Sequence, residues 1–109
     1  MDLVIKRFDV YLISLDPTIG SEIKKTRPCV IISPDEMNEY INTVIIAPLT
    51  STRKPYPSRV DIVFKNKKGQ IALDQLRTID KRRLLKKLGK VSEHSEDKIC
   101  EILVAMFSK

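Results

Sequence analysis

LDPTIGSEIKKTRPCVIIS, residues 15–33, joins two segments of opposite character, and the junction between them decides the architecture. From Leu15 to Arg27 the chain is polar and turn-rich, carrying Pro17, Gly20, Glu22, Lys24 and Lys25. Cys29 to Ile32 is a continuous apolar run rich in β-branched residues, the pattern of a strand buried on both faces. A long polar loop that feeds directly into a core strand presents its side chains from a rigid base. Arg27 stands at the junction and is held extended, because Pro28 disfavours the α region for the residue before it.

Working outward, the neighbouring segments also read as short strands. Asp9 to Leu15 alternates, with Tyr11, Ile13 and Leu15 on one face and Val10 and Leu12 on the other, so both faces are apolar. Ser33-Pro34-Asp35-Glu36 has the form of a capping box and opens a short helix reaching Tyr40. Asn42 to Leu49 is a second core strand whose Pro48 marks an edge or bulge, and Thr50 to Ser58 is a second polar loop. Arg59 to Lys65 alternates, Asn66 to Gly69 has hairpin-turn composition, and Gln70 to Leu76 returns as the paired strand. The run KRRLLKKL after Asp80 places Leu84, Leu85 and Leu88 on one helical face, with Gly89 as terminator. A last helix, capped by Ser92 or Ser95, repeats Ile99, Ile102, Leu103 and Met106 at helical spacing. The expected fold is mainly β, a small curved sheet or barrel with peripheral helices, in a single domain over residues 1–109.

Composition narrows the function. There are 20 Lys and Arg against 14 Asp and Glu, a net charge of +6, which suits a polyanionic partner and equally a basic soluble domain. No apolar run approaches the roughly 20 residues of a membrane span, and Met1 to Arg7 lacks the apolar region of a signal peptide. Cys29 falls in the core strand and Cys100 in an amphipathic helix, which reads as two buried, reduced thiols in a cytoplasmic protein.

The residue types then limit the chemistry. One histidine, His94, and no cysteine pair at ligand spacing leave no set suited to a catalytic metal, and a two-histidine acid–base mechanism is excluded within one subunit. No phosphate-binding glycine loop, dinucleotide fingerprint or nucleophile elbow is present. What remains is Glu, Arg, Thr, Ser and Gln on two polar loops at the ends of buried strands. That set suits RNA cleavage by the substrate's own 2′-OH, which needs no metal and no protein nucleophile. Arg supplies a rigid, always charged fork for the phosphate. Thr or Ser hydroxyls donate to a non-bridging oxygen, and a carboxylate such as Glu22 accepts the 2′-OH proton.

Four segments in order resemble the MazF/PemK (Kid) toxins of bacterial toxin–antitoxin pairs: DVYLISLDPTIGSE at 9–22, TRPCVII at 26–32, NTVIIAPLTS at 42–51 and LDQLRTIDKRRL at 73–84, followed by LGKVS. The resemblance covers nearly the whole chain. It implies an SH3-like barrel shared with the CcdB toxins, a homodimer, and a sequence-specific, metal-independent, cofactor-free endoribonuclease. Such an mRNA interferase cuts single-stranded RNA, leaves 2′,3′-cyclic phosphate and 5′-hydroxyl ends, and is inhibited by a cognate antitoxin with an acidic, disordered C-terminal segment. Carried over by motif, Arg27 and Thr50 are the catalytic pair, and Glu22, Ser21, Gln75 and Arg77 line the RNA groove. Lys24, Lys25, Ser51 and Arg53 complete the RNA-binding set on the two loops. Asp74 and Arg77 occupy the region that the PemK branch uses catalytically, so Arg77 is a candidate to share that work. The chain departs from the family pattern at Phe8, where many members have Gly.

Taken singly, each residue also has a plainer reading. Arg27 fits a surface loop, Thr50 a strand end, Gln75 an edge position, and KRRLLKKL the solvated face of a helix. The alternative functions are a non-catalytic barrel that binds nucleic acid or a protein tail, and a CcdB-like gyrase inhibitor. Six Phe and Tyr and no Trp disfavour binding by base stacking. In a chain this small, apolar residues Ile99, Ile102, Leu103, Met106, Leu84 and Leu88 are the candidates for a two-fold interface.

Overall fold

The apolar run before Ser33 forms the strand expected of it: Thr26–Ile31 (β2) lies between Asp9–Ser14 (β1) and Thr43–Thr50 (β3), antiparallel to both. The structure, a computed structural model, describes residues 4–109. Arg59–Phe64 (β4) and Lys67–Ala72 (β5) form a hairpin, Arg77–Asp80 (β6) is a short strand, and Leu84–Lys90 (β7) returns beside β1. The strand order is β4-β5-β3-β2-β1-β7, with β6 also paired to β3. Asp35–Tyr40 (α1) and Glu93–Phe107 (α2) are the two α-helices. The result is a mainly β protein, a strongly curled antiparallel sheet of SH3-like barrel type closed on one side by the C-terminal helix.

Both faces of the central strands are buried, as the apolar pattern requires. Tyr11, Ile13, Cys29 and Ile31 belong to one core cluster, while Val10, Val30 and Ala47 belong to a second one under α2. α2 closes that second cluster with Ile99, fully buried, and with Ile102 and Leu103 at its margin. Its N-terminus is capped as expected, the Ser92 hydroxyl accepting the Ser95 amide.

Proline and turn residues explain where strands change partner. β3 pairs with β6 through Ile46↔Arg77 and with β5 from Leu49↔Ile71 onward. Ala47 and Pro48 fall in the gap between the two, where a residue without an N–H costs no ladder bond on that edge. The hairpin turn is Lys65-Asn66, with φ of +48° and +67°, the conformation of a two-residue turn matched to strand twist.

Several sequence expectations are corrected. The KRRLLKKL segment is not a helix. Lys81–Arg83 makes one 3-10 turn, capped by Asp80, and Leu84 then enters β7. Pairing along β1 buries Leu84 and overrides the helical periodicity, and Gly89 lies inside the strand. The hairpin turn sits one residue earlier than Asn66–Gly69, so Gly69 belongs to β5. The returning strand stops at Ala72, and Leu73–Gln75 is a 3-10 turn. The Ser33 capping box does not form: Pro34 is the N-cap, without a side-chain cap bond. Ser33 is buried, donates to the Asn38 side chain and accepts the Ile45 amide at 3.0 Å, tying α1 to β3. Phe8 takes φ +73°, in the left-handed region that suits glycine, yet its backbone bonds to Ile31 and Val91 hold β1 at the expected start, Asp9.

Candidate active site

The first polar loop is built on its own short-range contacts. Its base closes through the Leu15 amide and the Lys25 carbonyl at 3.0 Å, and the Asp16 carboxylate accepts the Lys25 amide at 3.1 Å. Glu22 caps the tip, its Oε1 accepting the Ile19 amide at 2.7 Å. Distant residues then pin the loop to the sheet. The Gln75 side chain accepts the Ile23 amide at 3.1 Å and donates to the Ser21 carbonyl at 3.3 Å. Arg77 donates to the Leu15 carbonyl, and Arg83 to the carbonyls of Ser14 and Asp16.

The second loop leaves β3 at Thr50, which is buried with 8% of its surface exposed. Its Oγ1 accepts the Thr52 amide at 3.1 Å, which leaves the hydroxyl proton free to donate. Gln70 grips this loop as Gln75 grips the first, accepting the Lys54 amide at 3.0 Å and donating to the Lys54 carbonyl at 3.2 Å. The close approach of β5 needs Gly69, because a Cβ there would lie 2.8 Å from the Thr50 carbonyl oxygen.

Arg27 and Thr50 sit on neighbouring strands. The β2–β3 ladder runs from Ile31↔Ile46 to Cys29↔Pro48, and Arg27 and Thr50 stand two residues beyond its last pair, where β3 pairs with β5. Arg27 Nε donates to the Lys24 carbonyl at 2.8 Å, which steadies its guanidinium. Arg27 and Arg77 both act electrostatically on Cys29, whose thiol is fully buried. Burial pushes that thiol up to about 12 against the pull of the two cations, so Cys29 stays neutral at physiological pH and serves as a packing group of the core.

An open cavity of about 380 Å³ lies where the first loop meets β3 and the 3-10 turn after β5. Ser21, Glu22, Gln75 and Arg77 line it over an apolar floor of Leu15, Ile46 and Pro48, together with Asp74. Four of the sequence-derived site residues thus converge on one cavity. Arg27 and Thr50 are not among its lining residues. Lys24, Lys25 and Ser51 are exposed on the loops. Arg53 is set apart, 3.5 Å from Asp61 on β4, in a pair exposed enough to contribute little. Gln75 is not an edge filler: both ends of its amide are committed to loop backbone.

Three contributors were missed in the sequence. Arg83 was hidden by the amphipathic pattern of its segment. Gln70 and the Arg59–Asp74 ion pair lack a local signal, because their partners are 15 or 16 residues away. Arg59 Nε lies 2.7 Å from Asp74, and the Arg59 side chain is only 7% exposed. Burial alone would raise the Asp74 carboxyl, but hydrogen bonds from Arg59 and Ser58 outweigh it and hold it below the usual carboxylate range. A lowered carboxylate stabilises the fold above its unfolded-state pKa, so this contribution is intact at neutral pH and fades as pH falls through the lowered value. Among the described residues no three His, Cys, Asp or Glu side chains gather as a metal site, and no helix is long and apolar enough to cross a membrane.

Comparison with known proteins adds to this geometry. MazF from Deinococcus radiodurans is 23% identical, with 99% of this chain and 100% of that one aligned at a TM-score of 0.86. A MazE–MazF complex from the same organism aligns over 98% of each chain at 20% identity and a TM-score of 0.79. An endoribonuclease from a mycobacterial species, solved with its cognate antitoxin, is 25% identical over 93% of this chain and 92% of that one, with a TM-score of 0.79. The profile of the PemK-like, MazF-like toxins of type II toxin–antitoxin systems matches residues 6–107, and the chain belongs to that family.

Proposed function

We propose that this toxin is a metal-independent, sequence-specific endoribonuclease of single-stranded messenger RNA, acting in the cytoplasm. The observation that carries the reading is the cavity that gathers Ser21, Glu22, Gln75 and Arg77, with Arg27 and Thr50 on the neighbouring strands β2 and β3. The 2′-oxygen attacks the adjacent phosphorus, the bond from phosphorus to the 5′-oxygen breaks, and a 2′,3′-cyclic phosphate and a 5′-hydroxyl result. Glu22 takes the 2′-OH proton and the leaving oxygen gains one from water. Arg27, assisted by Arg77, neutralises the charge that grows on the phosphorane, and the Thr50 hydroxyl proton bonds a non-bridging oxygen. Ser21, Gln75, Lys24, Lys25, Ser51 and Arg53 contact the RNA to either side, with Gln75 acting largely through the loop it holds. Purified protein is expected to cut single-stranded RNA in excess EDTA. Loss of cleavage on chelation, restored by Mg²⁺ or Zn²⁺, would refute metal independence.

Assembly as a homodimer belongs to the same proposal, through the apolar surface of α2 that the chain's own core leaves uncovered. Ile99 and Leu84 are consumed by the chain's own core. Val104 and Phe107 at the end of α2 are instead 65% and 73% exposed, with Met106 beside them. Covering these side chains with a second copy removes apolar surface from water. Sedimentation is expected to give a dimer at micromolar concentration, shifted toward monomer by Phe107→Glu. A stable wild-type monomer would contradict it.

A further inference from the structure

We propose that Gln70, Arg59, Asp74 and Gln75 form one positioning bridge that sets the spacing of the two active-site loops. Each glutamine uses both ends of its amide to mimic a β-bridge: Gln70 holds the N–H and C=O of Lys54, and Gln75 holds the Ile23 N–H and the Ser21 C=O. The two clamps are joined. Arg59 contacts Gln70 Oε1 at 3.5 Å and forks onto the Asp74 carboxylate at 2.7 and 3.2 Å, and Asp74 is bonded directly to Gln75 in the chain. Both glutamines and the acid issue from β5 and the 3-10 turn after it, a rigid base with Ile71, Ala72 and Leu73 fully buried. One loop carries Glu22 and the other begins at Thr50, so the bridge fixes how far the base stands from the hydroxyl donor. Four separate surface hydrogen bonds would stabilise the fold but would not couple the loops. A continuous bridge makes a change at one loop felt at the other.

This inference rests on the nuclease reading for its kinetic consequence, though not for its structural one. The experiment combines Gln70→Met, Gln75→Met, their double variant, Gln75→Glu and Asp74→Asn, with kcat and KM on a short RNA and native-state exchange of the Ile23 and Lys54 amides. Gln75→Met is expected to lower kcat up to about 100-fold, the scale of a small misplacement of reacting groups, with KM changed less. Its melting temperature should fall by only about 5 °C. The double variant should be little worse than either single one. Gln75→Glu keeps the acceptor for Ile23 and should recover part of the activity. Asp74→Asn, at the centre, should speed exchange at both amides. Costs that multiply in the double variant, or faster exchange confined to the altered glutamine's own loop, would overturn the bridge. If wild-type protein cuts no RNA, the nuclease reading falls while the exchange data still decide the bridge.

Discussion

Replacing Arg27 with Ala is expected to slow RNA cleavage about 100- to 1,000-fold while leaving the fold intact, the usual loss when one preorganised donor to a developing charge is removed. The side chain is half-exposed at the start of β2, and its one hydrogen bond goes to the Lys24 carbonyl, so little packing is lost with it. Its charge, by contrast, acts on the buried Cys29 thiol together with that of Arg77. Arg27→Lys should recover only part of the rate, because a point charge does not reproduce the planar fork. Thr50→Val, close in shape, removes the hydroxyl proton and should cost a comparable factor. Arg77→Ala should act on both kcat and KM, since it removes a cation and also frees the Leu15 carbonyl at the root of the first loop. Wild-type turnover in both the Arg27 and Thr50 variants would move the catalytic centre into the cavity around Arg77.

The second large effect concerns inhibition. A saturating acidic, amphipathic peptide of the kind an antitoxin tail provides is expected to abolish cleavage in competition with RNA. The chain carries a net charge of +6; Lys24, Lys25 and Arg27 lie on the first loop and its exit into β2, and Arg77 lines the cavity. Carboxylates placed where RNA phosphates would lie pair with these cations. Ile19, 82% exposed at the loop tip, and the apolar cavity floor offer anchors for the peptide's hydrophobic side chains. Ordering a disordered segment costs free energy, so those anchors set residence time while charge sets the association rate. Raised salt should therefore slow association more than it speeds dissociation. A saturating peptide that leaves RNA affinity unchanged would place inhibition elsewhere.

Much of this was legible in the residues, and the limits have physical causes. The apolar run at 29–32 and the alternation at 9–15 revealed strands buried on both faces, because burial leaves its mark along a strand. The Arg27–Pro28 junction and the polar loops marked the site for the same local reason. KRRLLKKL misled because leucines at helical spacing also suit an edge strand with bulges, and pairing to β1 decides between them. Ser33 misled because its hydroxyl had a better partner in Asn38 and the Ile45 amide than in its own helix. The glutamine clamps and the Arg59–Asp74 pair were invisible, since a side chain that bonds backbone 16 or 52 residues away has no sequence periodicity. The resemblance to toxin sequences supplied what the residues alone could not: which arginine and which threonine belong together.

In the proposed reaction the RNA's own 2′-hydroxyl is the nucleophile, brought to reaction by Arg27, Thr50 and Glu22 without a metal. The direct measurement maps the bond cut in a single-stranded RNA in EDTA, replaces the nucleotide 5′ to that bond with its 2′-deoxy form, and analyses product ends by mass. The expected result is a 2′,3′-cyclic phosphate and a 5′-hydroxyl from the all-ribose strand and no cut at the deoxy position. Cleavage at the deoxy position, or a 5′-phosphate end, would contradict it.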